Sequence, residues 1–264
     1  MPGKRDDLES EISQAYPDRV EVRGRDLTAD MMGRLSFTEY FCLLLTGWEA
    51  SEEQRFFLDL LLVAIAEHGM MPTNVAARMT LAADPDSLQG AVAAGILGAG
   101  PVILGTSEAC AVLLKEAQDR VAGGDEEAAA VAGEMAREIH GAGEKVPGFG
   151  HPVHKPVDPR AERILELADE RGVSGEHVKL ARCFRDSVQE IWGKPLTMNV
   201  SMPIAAVMLD LGFEAATVKA VPILARTAGL LAHLAEEREN PIGLQMAKAA
   251  EDSVTYEPPD DQTG

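Results

Sequence analysis

Residues 140–160, HGAGEKVPGFGHPVHKPVDPR, hold four glycines and four prolines in a chain whose other segments read as helix. A backbone so rich in the two residues that interrupt helices is committed to turns and close approaches, so the chain has to arrange its helices around one elaborate turn. Before it, apolar spacing predicts helices over 27–35, 37–46, 51–68, 73–83, 87–97, 107–121 and 126–139. Ser36 with Glu39 is a capping box, Gly47 a stop, and Gly123-Gly124 a break. After it, Ala161, Ile164, Leu165 and Ala168 repeat at helical spacing up to Gly172, and Ser174 opens a helix that ends at Gly193. Helices over 201–211, 216–237 and 245–252 complete an all-α reading. Residues 6–25 are polar and read as a loosely docked arm, residues 256–264 as a disordered end, and no run alternates as a strand does.

Charge narrows the partners. Acidic residues outnumber basic ones 43 to 24, a formal charge of −19, and such a surface repels a phosphate backbone, so no nucleic acid is expected. An anionic substrate then needs a local positive island. Cys42, Cys110 and Cys183 lie in apolar stretches without paired spacing, which points to reduced thiols in a cytoplasmic protein. The charged N-terminus shows no signal peptide. The uncharged run between Asp86 and Glu108 is broken by Pro101 and is read as a buried helix and turn, so no membrane span is expected. The six histidines form no HxH or HExxH pairing, so no metal is expected.

The island is the glycine–proline segment itself, with His140, Lys145, His151, His154, Lys155 and Arg160. Glycine-turn N–H groups and a lysine suit phosphate, an arginine at a helix start suits a carboxylate, and His151 between them suits a base or a neutral donor. From residue types alone, the segment is equally consistent with a plain turn carrying solvated basic side chains. His140 and His154 read as surface histidines, and Ser201 as a helix N-cap.

Gly148-Phe149-Gly150-His151-Pro152-Val153-His154-Lys155 followed by Asp158-Pro159-Arg160-Ala161 resembles the GxGHxVxK…DPRA pattern of the citrate synthase superfamily. Further blocks follow the family's order: Ser36 to Gly47, Glu67-His68-Gly69 with Asn74, Ala91 to Pro101, Pro195 to Val200, and Ala225-Arg226-Thr227-Ala228-Gly229 with His233. The resemblance implies an all-α, citrate synthase-like fold, with a large domain (1–105 and 201–264), a small domain (106–200) and a cleft between them. It implies a homodimer or higher homo-oligomer, and chemistry on the carbon–carbon bond between an acyl-CoA and a 2-oxo acid. His68, Arg160 and Arg226 would hold the acid, His151 would act on its oxygen as a catalytic base, and Gly148, Phe149, Gly150 and Lys155 would hold coenzyme A.

Three departures refine this. Ile103 stands where the family's synthases place a histidine that polarises the thioester, which favours a citryl-CoA lyase or the lyase module of ATP-citrate lyase over a synthase. Ser201 stands where the family places its catalytic Asp, and a hydroxyl is a poor acid. Asn240 stands where synthases present an Arg to the neighbouring subunit. The expected activity is retro-Claisen cleavage of citryl-CoA or a related 3-hydroxyacyl-CoA. The alternatives are an acyl-CoA-binding protein with weakened catalysis and a condensing enzyme.

Overall fold

The computed structural model describes residues 9–100, 102–121 and 125–257, so the Gly123-Gly124 break and most of the expected disordered end lie outside it. Eleven α-helices are seen among the described residues: α1 Phe37–Thr46, α2 Glu52–Ala66, α3 Pro72–Ala83, α4 Leu88–Leu97, α5 Thr106–Arg120, α6 Asp125–Gly141, α7 Pro159–Glu170, α8 Glu176–Trp192, α9 Ser201–Asp210, α10 Ala220–Glu239 and α11 Gly243–Asp252. The punctuation behaves as the residues dictate. Ser36 and Glu39 close a capping box on α1, Gly47 ends it at φ 85°, and Ser51 with Gln54 closes a second box on α2.

The arm expected over 6–25 is instead part of a small antiparallel sheet, Ser13–Ala15, Val20–Val22 and Arg25–Asp26, in that order, with Ser13 opposite Val22 and Glu21 opposite Asp26. Strands of two or three residues are too short for alternation to register. The two-residue turn at Arg23 and Gly24 has both φ values positive (49° and 75°), the hand that matches strand twist. Arg23 donates to the Leu44 carbonyl at 2.8 Å, and Val22 packs with Met31 and Leu43, which docks the sheet on α1. The helix expected over 27–35 is a single wide π-type turn, Leu27–Met31.

Helix α9 is the centre of the larger core. Every residue from Ser201 to Leu209 is buried, so it is apolar around its whole circumference. It packs on α5, α7 and α8, with a lesser contact to α2. Its residues share one buried core with α5 and α8 and also with Phe213, Val218, Val221 and Ala225 further along the chain. Helix α10 packs on α2, α3 and α4. The helical run Ala215–Glu239 that contains it is long and apolar enough to cross a membrane, yet α10 buries Arg226 and Glu237.

Gly229 makes that packing possible. A Cβ there would stand 2.1 Å from the Ala66 carbonyl oxygen at the end of α2, so the two helices meet backbone to backbone. Gly229→Ala is expected to destabilise the fold by about 1–3 kcal/mol, seen as a lower midpoint in urea unfolding.

Candidate active site

Three short segments converge beside this contact. The first is the turn after α2. The Glu67 carboxylate accepts the backbone N–H groups of His68 at 2.8 Å and Gly69 at 2.6 Å, and meets His233 Nε2 at 2.9 Å. Gly69 at φ 73° completes the turn, and His68 is thereby set against the cleft. The second is the glycine–proline loop. It is zipped to residues 197–199 through Gly150 N to Thr197 O (2.7 Å) and Asn199 N to Gly148 O (2.8 Å). Gly148, at φ 80°, has no room for a Cβ, which would meet Cys110 Sγ at 2.8 Å. The third is the start of α9, where Asn199 Oδ1 accepts the Ser201 N–H at 3.0 Å. The N-cap of α9 is Val200, and Ser201 is the first helical residue, not the N-cap that residue type suggests.

His68, His151, Arg160, Ser201 and Arg226 all line one chamber of about 490 Å3, with Ile103 in its wall. An outer groove of about 630 Å3 shares Val102, Thr106, Gly150, Pro152 and Asn199 with it, so the two are one continuous cleft. Gly148, Phe149 and Gly150 line the groove. Lys155 does not: it is exposed and lines neither cavity, and the groove's lysines are Lys145 and Lys194. The zipper to 197–199 holds 148–150 inward, and Thr197 Oγ1 also donates to the His154 and Pro156 carbonyls on either side of Lys155, whose own side chain is left exposed.

Asp158 holds the chamber's charged end. It is fully buried, caps α7 by accepting the Arg160 N–H (3.1 Å), accepts the Val200 N–H (3.2 Å), and grips Arg160 at Nε (3.0 Å) and Nη2 (2.8 Å). Burial alone would raise its carboxyl, but the Arg160 hydrogen bonds outweigh that and hold it below the ordinary range. Arg226 is different. It is 2% exposed, donates to Asn74 Oδ1 (3.2 Å) and Ile65 O (3.4 Å), makes no ion pair among the described residues, and has an unpartnered Nε. Burial pushes its guanidinium below the usual arginine value.

His151 Nδ1 accepts two backbone N–H groups, from Val153 at 3.1 Å and His154 at 2.8 Å. The tautomer follows: Nε2 carries the proton, so His151 presents a donor and not the basic lone pair that the sequence reading assigned it. Arg160 Nη2 lies 3.5 Å from that Nε2, two donors converging on a place for an acceptor oxygen. His154, read as a surface histidine, is half-buried, with Nε2 3.0 Å from His68 Nε2. Its spacing of three from His151 was the available signal. Burial first, then Arg160 and His154, lowers His68; burial first, then His154, lowers His151. The ring nitrogens of the three histidines lie within 4.8 Å of one another, as in a metal triad. His151 Nδ1 is already taken by two backbone N–H groups, and the nearby Arg160 and Arg226 charges oppose a further positive charge on His68. His140 packs on Trp192 instead, ring centroids 4.6 Å apart.

The fold and this site define a class of all-helical enzymes acting at a cleft between packed helical bodies. A family model described as citrate synthase, C-terminal domain, matches residues 13–244, and the chain belongs to the citrate synthase family. It is similar in structure to citryl-CoA lyase from Hydrogenobacter thermophilus, with 28% identity, a TM-score of 0.83 and 96% of each chain covered. It shares the fold of ATP citrate lyase from Methanothrix soehngenii, solved with citrate and coenzyme A, at TM-score 0.77 and 20% identity over 99% of this chain and 44% of that one. In sequence it is similar to a citrate synthase of Deinococcus radiodurans, 29% identical over 219 residues, 81% of this chain and 55% of the relative. The chain spans about half the length of the curated relatives it matches.

Two outcomes test the site. Nitrogen-15 spectra at pH 7 should show His151 as the neutral Nε2–H tautomer, becoming cationic only below about pH 6.5. Asp158→Asn should cost about 3 kcal/mol at pH 7. Because the folded Asp158 pKa lies below the unfolded one, that contribution is present above about pH 3.9 and is lost as pH falls through the folded value, so urea midpoints of variant and wild type should converge in acid.

Proposed function

We propose that the protein is a carbon–carbon lyase of the citryl-CoA lyase type, cleaving a 3-hydroxyacyl-CoA to acetyl-CoA and a 2-oxo acid. The observation that carries this is the convergence of His68, His151, Arg160, Arg226 and Ser201 on one chamber that continues into a lysine-bearing groove. The groove, with Lys145, Lys194 and the 148–150 turn, suits coenzyme A; the chamber suits the acid. Ile103, in the chamber wall, has no hydrogen to donate to a thioester oxygen, which disfavours enolising acetyl-CoA for condensation.

In the cleavage, the bond between the carbinol carbon and the thioester methylene breaks and its electron pair passes to the methylene as the thioester enolate. His151 Nε2–H and Arg160 Nη2 stabilise the oxygen as it becomes a carbonyl. His68, kept neutral by its surroundings, takes the carbinol proton, and the hydrogen-bonded His68–His154 pair returns a proton to the methylene carbon. Arg226 holds a carboxylate, and Ser201 supplies a hydrogen bond without acid strength. A homodimer, as the family resemblance implies, is part of this proposal.

The test is release of acetyl-CoA from citryl-CoA and a panel of related esters by the purified protein. His151→Ala should slow it by about 10²–10³-fold and His68→Ala by about 10²–10⁴-fold, while Ser201→Asp should speed it. Ser201 also favours a second reading, an acyl-CoA-binding protein. That reading wins if coenzyme A esters bind and none is cleaved.

A further inference from the structure

The charge inventory of the chamber is short. Arg160 is neutralised within the chain, its Nε and Nη2 both on the fully buried Asp158 carboxylate. Glu67, whose charge reaches Arg226, does not line the chamber: it is engaged by His233 at 2.9 Å and by the His68 and Gly69 N–H groups. Arg226 therefore remains as a buried guanidinium with no ion pair among the described residues and with an Nε that nothing accepts. The His151 hydrogen-bond pattern is that of a neutral ring, and burial lowers both His68 and His151 toward the uncharged form. Beyond these groups the described lining is uncharged, and Ile65, Met71, Ile103 and Leu104 give it an apolar side.

We infer that the acid half of the substrate is a 2-oxo monocarboxylate with a small apolar substituent, as in pyruvate, rather than a dicarboxylate such as oxaloacetate. One carboxylate cancels the Arg226 charge, and the substituent lies on the apolar side. A second carboxylate would leave water with no uncompensated cation in this chamber to meet it. The inference rests on the lyase reading and narrows it to the coenzyme A ester of 3-carboxy-3-hydroxybutanoate, whose carbinol carbon bears one carboxylate and a methyl group. Its cleavage moves the carbinol proton off oxygen, breaks the bond from the carbinol carbon to the methylene, and returns one proton to that methylene. The products are pyruvate and acetyl-CoA, atoms and electrons balance, and no co-reactant is consumed.

The experiment runs citryl-CoA and the 3-carboxy-3-hydroxybutanoate ester in parallel, following oxaloacetate and pyruvate, and measures binding of the two free acids by calorimetry with coenzyme A present. The expected result is kcat/KM at least roughly 100-fold higher for the one-carboxylate ester, with pyruvate binding more tightly than oxaloacetate. Val102→Arg, at an exposed position on the shared rim and so safe for folding, adds a cation and should shrink that ratio about tenfold. A ratio unmoved by the variant would sink charge as its cause. Equal or faster cleavage of citryl-CoA overturns the inference and leaves the lyase reading standing. If neither ester is cleaved, the lyase reading falls and calorimetry decides: tighter pyruvate binding upholds the chamber's preference, and tighter oxaloacetate binding, or none of either, overturns it.

Discussion

A single carboxylate, that of Asp158, fixes the relation between the parts of this site. It joins the end of the glycine–proline loop, the first turn of α7 and the entry to α9, while holding the Arg160 guanidinium in a plane that faces His151. A buried ion pair contributes little net stability over a well-packed apolar substitute, because both charges leave water. Its value here is geometric. Two backbone segments from different places in the chain, 158–160 and the entry to α9 at Val200, are referred to one pair of oxygen atoms, and the arginine that results has a fixed direction instead of many rotamers.

The site's chemistry follows from pairing that rigid end with rings kept uncharged. Backbone N–H groups decide the tautomer of His151, a form of control that uses no side chain beyond the ring itself. His68 and His154 share a contact that lets one ring donate and the other accept. A chamber with neutral imidazoles, one compensated arginine and one uncompensated arginine attracts an anion without the surplus charge that would hold it after reaction.

Much of this was legible in the residues. Caps and glycine stops placed α1 and α2 almost to the residue, because capping is decided within four or five positions. The positive island and its histidine followed from local composition. Long-range pairing hid the rest. The sheet's strands are too short for a periodic signal, and Lys155, assigned to coenzyme A by the family resemblance, has an exposed side chain outside both cavities. His154 gained its role only from His68, 86 residues away.

Trp192, at the end of α8, forms part of the outer groove, and the chain's other tryptophan, Trp48, lies in neither cavity and stacks near Phe213 at 5.2 Å. Indole emission from this protein is therefore divided between one fluorophore at the mouth of the cleft and one outside it. The imidazole of His140 sits edge-on to the first, with ring centroids 4.6 Å apart. The fold thus carries its own optical gauge of cleft occupancy.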